Sequence, residues 1–597
     1  MTQGTTVNGT SPAPSSGRPA ARDRYKWVAL TNTTVGVTLA TIDMSIILIS
    51  MPDIFRGIGL NPLVPANSFF LLWMLLGYSA VGCILLVSLG RLGDQFGRVK
   101  VYNLGFVIYT LASLILAANP LAGAAGAWWL LGFRVMQGVG GACLVANSAA
   151  ILTDAFPRNQ RGLALGINNL AAMTGSFIGL VVGGLLAPID WRLIFFVSVP
   201  FGAFGTAWAY LKLRERGVRT PSPIDWPGNL TFAGGLLLVM ISVTYGIQPY
   251  GGQPMGWSNP RVIGGGAAGV ILLGLFVLIE TRVAHPMFRI ALFRIRPFVF
   301  GSLSTFLAAL ARGGLQFMLV IWLQGIWLPL HGVSFSRTPM LAGICMLPTT
   351  FGMILAGPIS GRLSDLFGSR QFATGGMIGA ACAFALLFFL PVDFHYPVFA
   401  LTLFLNGLSM GTFNSPNRAS VMNSLPARHR GVGSGMNGTF MNSAMVFSQG
   451  IFFTLMILGL SAALPVAMAS GLIANGVPPA AAQAISHRPP VSILFATFLG
   501  YNPLRELLGP HLLATLPAHS VNLLTGREFF PNLIAAPFKS GLHQVFGFSI
   551  VICLIAALAS WSRGKRRVSG AEPEPAPATA TPVGEGSIAG SRALESE

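Results

Sequence analysis

The sequence predicts an all-α membrane protein with fourteen transmembrane helices, arranged as two six-helix bundles with an inserted helix pair. Three observations predict this fold. Of the 597 residues, 53% are apolar and only 9% are charged, which is the composition of a membrane protein. The apolar residues form runs of about 20, the length that crosses a bilayer core of about 30 Å. A charged turn at 90–98 returns at 361–370, which indicates two related halves.

Fourteen apolar runs, separated by polar turns, supply the helices. Six runs precede residue 214, two follow as a pair, and six come after residue 297. Their ranges are 27–51, 68–89, 101–118, 128–152, 163–187, 193–213, 229–247, 262–281, 298–322, 340–360, 372–390, 398–422, 432–460 and 545–562. An even number of spans places both chain ends on one side of the membrane.

The distribution of positive charge predicts the orientation. With both termini in the cytoplasm, 25 of the 37 Lys and Arg lie in cytoplasmic segments and eight lie on the other side, as the positive-inside rule requires. A nucleic-acid binder would cluster its basic residues on one domain, so the formal net charge of +19 does not indicate nucleic acid. We therefore expect a multi-pass protein of the cytoplasmic membrane, in contact with the lipid bilayer.

The linkers divide the chain into five parts. The tails are poor in apolar residues and are expected to be disordered in the cytoplasm. The parts are a tail at 1–25, an N-terminal bundle at 26–214, a linker with the inserted pair at 215–296, a C-terminal bundle at 297–562 and a tail at 563–597.

One segment of the C-terminal bundle does not fit the pattern of short loops. Residues 461–542 lie between helices 13 and 14 and contain a further apolar stretch. Gly500, Pro503 and the adjacent charges Arg505 and Glu506 disfavour a spanning helix there. We expect an extracellular segment, whose role the sequence does not indicate.

Several kinds of chemistry find no support in the sequence. The five cysteines have neither paired nor metal-ligand spacing, so no metal site is predicted. The chain has no GxxxxGK[ST] loop for nucleotide, and its histidines lie in predicted loops or near helix ends. We expect no cofactor and no enzymatic activity, and a membrane-embedded sensor or enzyme stays the non-transport alternative.

The charged turn at 90–98 suits a conformational latch. Asp94 lies just before the third helix, where a carboxylate can interact with the helix N-terminus and pair with Arg98. Gly90 and Gly97 permit a tight turn and close approach of neighbouring helices. The second copy offers Arg362, Asp365 and Arg370.

Charged residues inside the spans are the stronger candidates for functional residues, because an ionised side chain in the apolar interior is costly and is usually functional. Arg134 lies within the fourth span, and Gln137 is on the same helical face. Asp43 is nearly the only acidic residue deep in any span, which makes it the candidate proton or cationic-substrate site. Whether Arg134 reaches Asp43 is open at this point.

Two further sets of residues complete the candidates. The first is the stripe Gly175, Gly179 and Gly183, which recurs every four residues on the fifth span and predicts close helix packing. The second is Arg312 with Gln316 on the ninth span. This pair would line a cavity, or the arginine would reach toward a helix end.

Together these residues resemble the major facilitator superfamily, in its 14-helix drug:proton antiporter branch. The resemblance covers about 27–460 and the last helix. Residues 90–98 resemble motif A, 134–141 resemble motif B, and 42–52, 191–200 and 225–228 resemble signatures of that branch. The resemblance implies that the latch holds the outward-open state and that Arg134 takes part in proton coupling. Motif C is only partly matched, because Leu180 replaces its proline.

The resemblance implies a secondary transporter that exports hydrophobic or cationic drug-like compounds in exchange for protons, by alternating access. We expect a monomer acting on a small substrate. A lipid or envelope-precursor exporter or flippase is the alternative, suggested by the long outer segment and by the scarcity of acidic residues.

Overall fold

The computed structural model describes residues 19–157, 160–215, 225–335, 337–426, 430–499 and 502–564. Within these residues, fourteen helices are long and apolar enough to cross a membrane. The one extended pairing among them is an isolated bridge between Tyr250 and Gln253. The predicted all-α fold with fourteen spans is therefore confirmed. Of the predicted tails, 1–18 and 565–597 lie outside the described residues.

The helices are numbered here in chain order. The N-terminal half comprises α1 (Pro19–Gly57), α2 (Ser68–Phe96), α3 (Arg98–Ala117), α4 (Gly123–Ala155), α5 (Arg161–Leu186) and α6 (Leu193–Lys212). The inserted pair is α7 (Trp226–Gly246) and α8 (Pro260–Glu280). The C-terminal half comprises α9 (Arg296–Leu330), α10 (Thr338–Phe367), α11 (Ser369–Phe389), α12 (Tyr396–Asn423), α13 (Arg430–Ala474) and, last in the chain, α18 (Phe529–Trp561).

Between α13 and α18 lie four short helices, α14 (Pro479–Ser486), α15 (Pro490–Phe498), α16 (Leu504–Thr515) and α17 (Ala518–Leu524). We call residues 475–528 the cap. None of these four helices is long enough to cross a membrane. Both α13 and α18 extend well beyond their predicted spans to meet the cap.

The helices pack as two bundles. In the N-terminal half α1 contacts α4, α5 and α6, and in the C-terminal half α9 contacts α12, α13 and α18. The inserted helices α7 and α8 pack on each other, and α7 also touches α2 and α13. The halves meet where α5 packs on α10 and where α2 packs on α13.

The molecule has two opposite ends, which we call the tail end and the cap end, and hydrogen bonds join distant segments at each of them. At the tail end, which holds both described chain ends, Tyr25 donates to the Arg214 carbonyl at 2.7 Å and Arg296 donates to the Ser562 carbonyl at 3.0 Å. The cap end is the opposite one, where Asn61 of the N-terminal half bonds to Glu506 of the cap.

At the cap end the space between the halves is filled. Helix α15 is buried along its whole length and packs against α2, α9 and α13. Its Phe498 and Phe495 rings lie 4.8 Å and 5.6 Å from Phe317 and Phe453 respectively. A Cβ on Gly184 of α5 would come within 2.6 Å of the Met340 nitrogen, so α5 and α10 touch there. The structure is closed at the cap end.

Candidate functional site

Asp43 and Arg134 meet in the interior of the N-terminal half. Asp43 lies in the middle of α1 with 0% of its side chain exposed, and Arg134 lies on α4 with 2% exposed. An Arg134 Nη1 hydrogen bond to Asp43 Oδ2 joins them as an ion pair. Removing a charge from water is tolerated in a membrane interior when an opposite charge and hydrogen bonds replace the water. The sequence left open whether Arg134 reaches Asp43, and in the structure it does.

Gln137 closes this pair into a network. It accepts a hydrogen bond from Arg134 Nη1 at 2.8 Å and donates to Asp43 Oδ1 at 3.1 Å. Its amide also donates to Ser113 Oγ of α3 at 2.8 Å, and Ser113 donates to the Tyr109 carbonyl at 2.8 Å. Three helices therefore share one polar cluster, in which the position of each side chain depends on the others.

Two tyrosines hold α1 beside this cluster. Tyr78 Oη of α2 donates to the Ala40 carbonyl at 3.1 Å, and Tyr109 Oη of α3 donates to the Leu39 carbonyl at 3.2 Å. The guanidinium carbon of Arg134 lies 4.8 Å from the centre of the Tyr78 ring, a cation–π contact. The Arg134 Nε is buried and has no hydrogen-bond partner among the described residues. The guanidinium is thus held on two sides and unsatisfied on a third.

The glycine stripe of α5 lies against α1 at the same depth. A Cβ on Gly175 would lie 2.9 Å from the Thr38 carbonyl oxygen, one on Gly179 would lie 2.6 Å from Ser45 Oγ, and one on Gly183 would lie 2.9 Å from the Ile46 oxygen. Only glycine permits this approach, so α5 supports the backbone of α1 directly around Asp43.

The turn between α2 and α3 forms an ion-pair network at the tail end. Arg98 Nη2 lies 2.8 Å from Asp94 Oδ1, and Arg98 Nη1 lies 2.7 Å from Asp154 Oδ1 at the end of α4. Glu215 accepts from the backbone nitrogens of Arg98 and Val99 at 3.1 Å and 3.0 Å, and so caps α3. One arginine therefore joins the ends of α2, α3 and α4.

The glycines of this turn have different roles. Gly97 has φ +116°, a conformation that favours glycine, and a Cβ on it would lie 2.6 Å from Glu215. Gly90 has no neighbouring described atom within 4 Å of such a Cβ, so the close approach that we expected at Gly90 is absent from the described part of the structure.

The second copy of the turn forms no such network. Arg362 and Asp365 are exposed and make no ion pair with any described residue. The guanidinium of Arg370 lies instead 3.8 Å from the centre of the Trp561 ring. The reason is visible in the sequence, because Ser369 stands in the place of Arg98 and Asn423 in the place of Asp154. The expected second latch is not assembled from these residues.

Arg312 and Gln316 lie on α9, where both are half-buried. Arg312 Nη1 lies 3.8 Å from the Met353 sulfur of α10. They do not meet the Asp43 cluster, which is confined to α1, α3 and α4.

Sequence reasoning missed four residues of these two networks. Ser113, Tyr78, Asp154 and Glu215 each complete a contact that the motifs alone leave open. A polar residue inside an apolar run was the available signal for Ser113 and Tyr78, but membrane helices carry many such residues. No group of three or more His, Cys, Asp or Glu among the described residues has the geometry to hold a metal ion.

Comparison with protein families gives one match that covers most of the chain. The model of the Major Facilitator Superfamily matches residues 33–449. Among curated proteins, the tetracenomycin C resistance and export protein of Streptomyces glaucescens is 26% identical over 97% of this chain and 98% of its own length. The riboflavin transporter RibZ of Clostridioides difficile is 27% identical over 72% of this chain and 88% of its own.

A further relative is the putative multidrug resistance protein MdtD of Escherichia coli, 27% identical over 73% of this chain and 87% of its own. Solved structures agree on the fold. A bacterial homologue of the lysosomal transporter Spinster matches with a TM-score of 0.51 and 16% identity, over 92% of this chain and 98% of that one. A peptide transporter of the POT family in complex with sulfate matches with a TM-score of 0.52 and 16% identity, over 86% of this chain and 97% of that one.

Proposed function

The chain belongs to the major facilitator superfamily, and we propose that it exports hydrophobic drug-like compounds across the cell membrane in exchange for protons. Membership of this family makes the chain a multi-pass transporter rather than an enzyme. Resistance and export proteins among its relatives support the direction and the class of cargo. We further propose a monomer with both termini and the tail end in the cytoplasm and the cap outside, as the distribution of positive charge favours.

One observation carries the proton part of this proposal, namely the enclosed ion pair of Asp43 and Arg134. A proton that binds Asp43 removes the negative charge that holds the guanidinium. Arg134 then remains buried and unpaired, which is unfavourable enough to drive a rearrangement of α1 against α4. Loss of the proton restores the pair. The network can in this way couple protonation to the movement of the two halves.

The sequence predicts hydrophobic or cationic cargo. Binding of a cationic compound at Asp43 would depend on a free carboxylate. In this structure the Asp43 carboxylate is occupied by Arg134 and Gln137. A hydrophobic compound needs no such charge. Neutral and cationic dyes therefore form the two arms of a useful comparison.

The test uses purified protein in proteoliposomes that contain a pH-sensitive dye. Addition of the neutral dye Nile red is expected to release protons from wild-type vesicles. An imposed pH gradient is expected to drive the transport of Nile red. Asp43→Asn should reduce this coupled flux by about 100-fold or more, because it removes the carboxylate of the buried pair. Asp53→Asn is the matched control, since Asp53 lies on the same helix but pairs with Arg56 at its end.

Coupling and folding are separated in the same experiment. Gradient-independent exchange of Nile red should persist in Asp43→Asn if only coupling is lost. Proton-driven flux that survives this substitution at the level of Asp53→Asn would contradict the proposal. Ethidium replaces Nile red in the cationic arm.

A further inference from the structure

A second polar region lies in the C-terminal half, built around two arginines that both adjoin α10. The first is Arg312 of α9. Among the described residues its hydrogen-bonding contact is with the Met353 sulfur, a weak acceptor, at 3.8 Å. The side chain is half-buried, and its other donors have no hydrogen-bond partner among the described residues.

The second arginine is Arg418 of α12. It is seven residues from Gly411, so both lie on the same side of the helix. That side faces α10, because a Cβ on Gly411 would lie 2.7 Å from the Met353 oxygen. Arg418 is exposed and lies about 10 Å nearer the tail end than the level of Met353, at a rise of 1.5 Å per residue. A molecule that enters from the tail end therefore meets Arg418 first and Arg312 second.

Neither arginine has a carboxylate of its own half within reach. The sequence from 297 to 562 contains four acidic residues, namely Asp365, Asp393, Glu506 and Glu528. They lie at the end of α10, in the α11–α12 loop, in the cap and just before α18, so none is in the middle of the bundle. Arg312 and Arg418 are therefore charges without counter-charges in this half, in contrast to Arg134.

A buried amide with unmade hydrogen bonds lies just beyond Arg312. Asn406 of α12 has 0% of its surface exposed, and neither its oxygen nor its nitrogen has a partner among the described residues. It lies three helical turns from Asn417, which bonds to Thr305 of α9, so it faces α9 as well. By this register it sits near the level of Gln316. Such an amide is costly unless a polar ligand or water satisfies it.

We propose that Arg418 and Arg312 bind the anionic group of an amphiphilic cargo, a carboxylate or a phosphate, with Asn406 and Gln316 at the inner end of the site. The proposal rests on the transport function proposed above and specifies the charge of its cargo. Guanidinium groups bind both anions through paired hydrogen bonds, and the low polarity of a bundle interior strengthens that contact. The apolar part of the cargo would lie among the Leu, Met and Phe side chains of the halves.

The same charges disfavour cationic cargo. The Asp43–Arg134 pair is neutral as a unit, whereas the C-terminal half adds two uncompensated positive charges. A cation in this space would be repelled by both arginines, and this repulsion itself gives specificity.

Binding to the protein in nanodiscs of phosphatidylcholine tests the proposal, with isothermal titration calorimetry as the measurement and empty nanodiscs as the blank. Three ligands share one chain and differ in the head group: dodecyl phosphate, dodecanol and dodecyltrimethylammonium. Dodecyl phosphate is expected to bind at least about tenfold more tightly than the other two, because a charge-assisted hydrogen bond contributes at least that factor. Inorganic phosphate, which lacks the chain, should bind much more weakly.

Single substitutions assign the effect to the two arginines. Arg312→Gln and Arg418→Gln should each weaken dodecyl phosphate by about tenfold and leave dodecanol unchanged. Arg312→Lys, which keeps the charge, should retain part of the affinity. Arg261→Gln removes an exposed positive charge at the start of α8 and serves as the control. Thermal unfolding verifies that each variant is folded.

Three results would overturn the proposal: equal affinity for all three head groups, an undiminished dodecyl phosphate affinity in both glutamine variants, or inorganic phosphate bound as tightly as dodecyl phosphate. The flux assay with Nile red keeps the two proposals distinguishable. Arginine-dependent binding without proton-driven flux leaves the anion site standing and refutes the proton-driven exporter. Proton-driven flux without arginine-dependent binding leaves the proton-driven exporter standing and refutes the anion site.

Discussion

The N-terminal and C-terminal halves differ most at one matched depth. In the N-terminal half, Gly179 of α5 packs beside Ile42, next to Asp43. Ser448, which holds the same place in α13, packs beside Gly313 and Gly314 of α9. The acid of one half is thus matched by glycines in the other, and Leu403 takes the place of Arg134.

The same contrast holds at the tail end, where Arg98 joins two carboxylates and its counterpart turn joins none among the described residues. The N-terminal half pairs Arg134 with Asp43, whereas Arg312 and Arg418 of the C-terminal half form no ion pair with a described residue. A repeat that preserves the helices but not the charges allows the two halves to take different roles. The proposals above place the proton in the N-terminal half and the cargo in the C-terminal half.

The strongest way to break this contrast is Arg134→Leu, which gives the N-terminal half the residue of the C-terminal half. Asp43 would remain buried without its counter-charge, at a cost of about 3–5 kcal/mol of stability. The double variant Asp43→Leu/Arg134→Leu should recover most of that loss, because no unpaired charge remains. Thermal unfolding in detergent measures both, and equal stability of the single and double variants would refute the ion-pair account.

The tail-end networks give the next largest difference. Arg98→Gln removes contacts to Asp94 and Asp154 and should cost about 1–3 kcal/mol, with a loss of about tenfold or more in transport rate. Among the described residues, Arg370→Gln loses only the contact with Trp561, worth about 0.5–1 kcal/mol. Thermal unfolding and Nile red flux are the measurements. A larger effect of Arg370→Gln than of Arg98→Gln would contradict the assignment of the latch to the N-terminal half.

The close packing of α5 on α1 predicts a third difference, between the effects of two glycine substitutions on α5. One glycine contacts α1, and the other serves as the control. Gly179→Ala places a Cβ against Ser45 and should destabilise the protein by about 1–3 kcal/mol. Gly166→Ala meets no described atom within 4 Å and should be neutral or stabilise by up to about 1 kcal/mol. Similar melting temperatures for the two variants would argue against the predicted strain.

The smallest expected effect comes from building a latch in the C-terminal half. Ser369→Arg and Asn423→Asp introduce the residues that stand in the first half. In a double-mutant cycle the pair should show a favourable coupling of about 0.5–1 kcal/mol, as expected for a partly exposed ion pair. Coupling of zero would mean that the two turns differ in backbone as well as in side chains.

The sequence located the spans because a bilayer requires long apolar runs, but it made several of them too short. The predicted range 432–460 corresponds to a helix at Arg430–Ala474, because both the apolar sequence and the helix continue past Leu460. The four cap helices could not be predicted, because their positions depend on contacts with one another and with distant helices, as α15 contacts α2, α9 and α13. No local pattern encodes such contacts.

In the candidate site, too, some residues could be predicted from the sequence and others could not. Asp43, Arg134 and Gln137 were predicted because charge in an apolar run is rare, and the structure brings all three together. Glu215, by contrast, lies beyond the end of α6, far from Arg98 in sequence, and nothing in its sequence surroundings indicates that it caps α3. Pairings between distant segments need the fold.

The length of α13 has a practical consequence. Its 45 residues make a rod of about 68 Å, more than twice the bilayer core, and the cap is seated on the part that protrudes. A 63.0 kDa membrane protein offers electron cryo-microscopy few features outside a detergent belt. An antibody fragment bound to the cap would be anchored through one unbroken helix to the C-terminal half. It would serve as a rigid marker that reports the orientation of that half in every particle image.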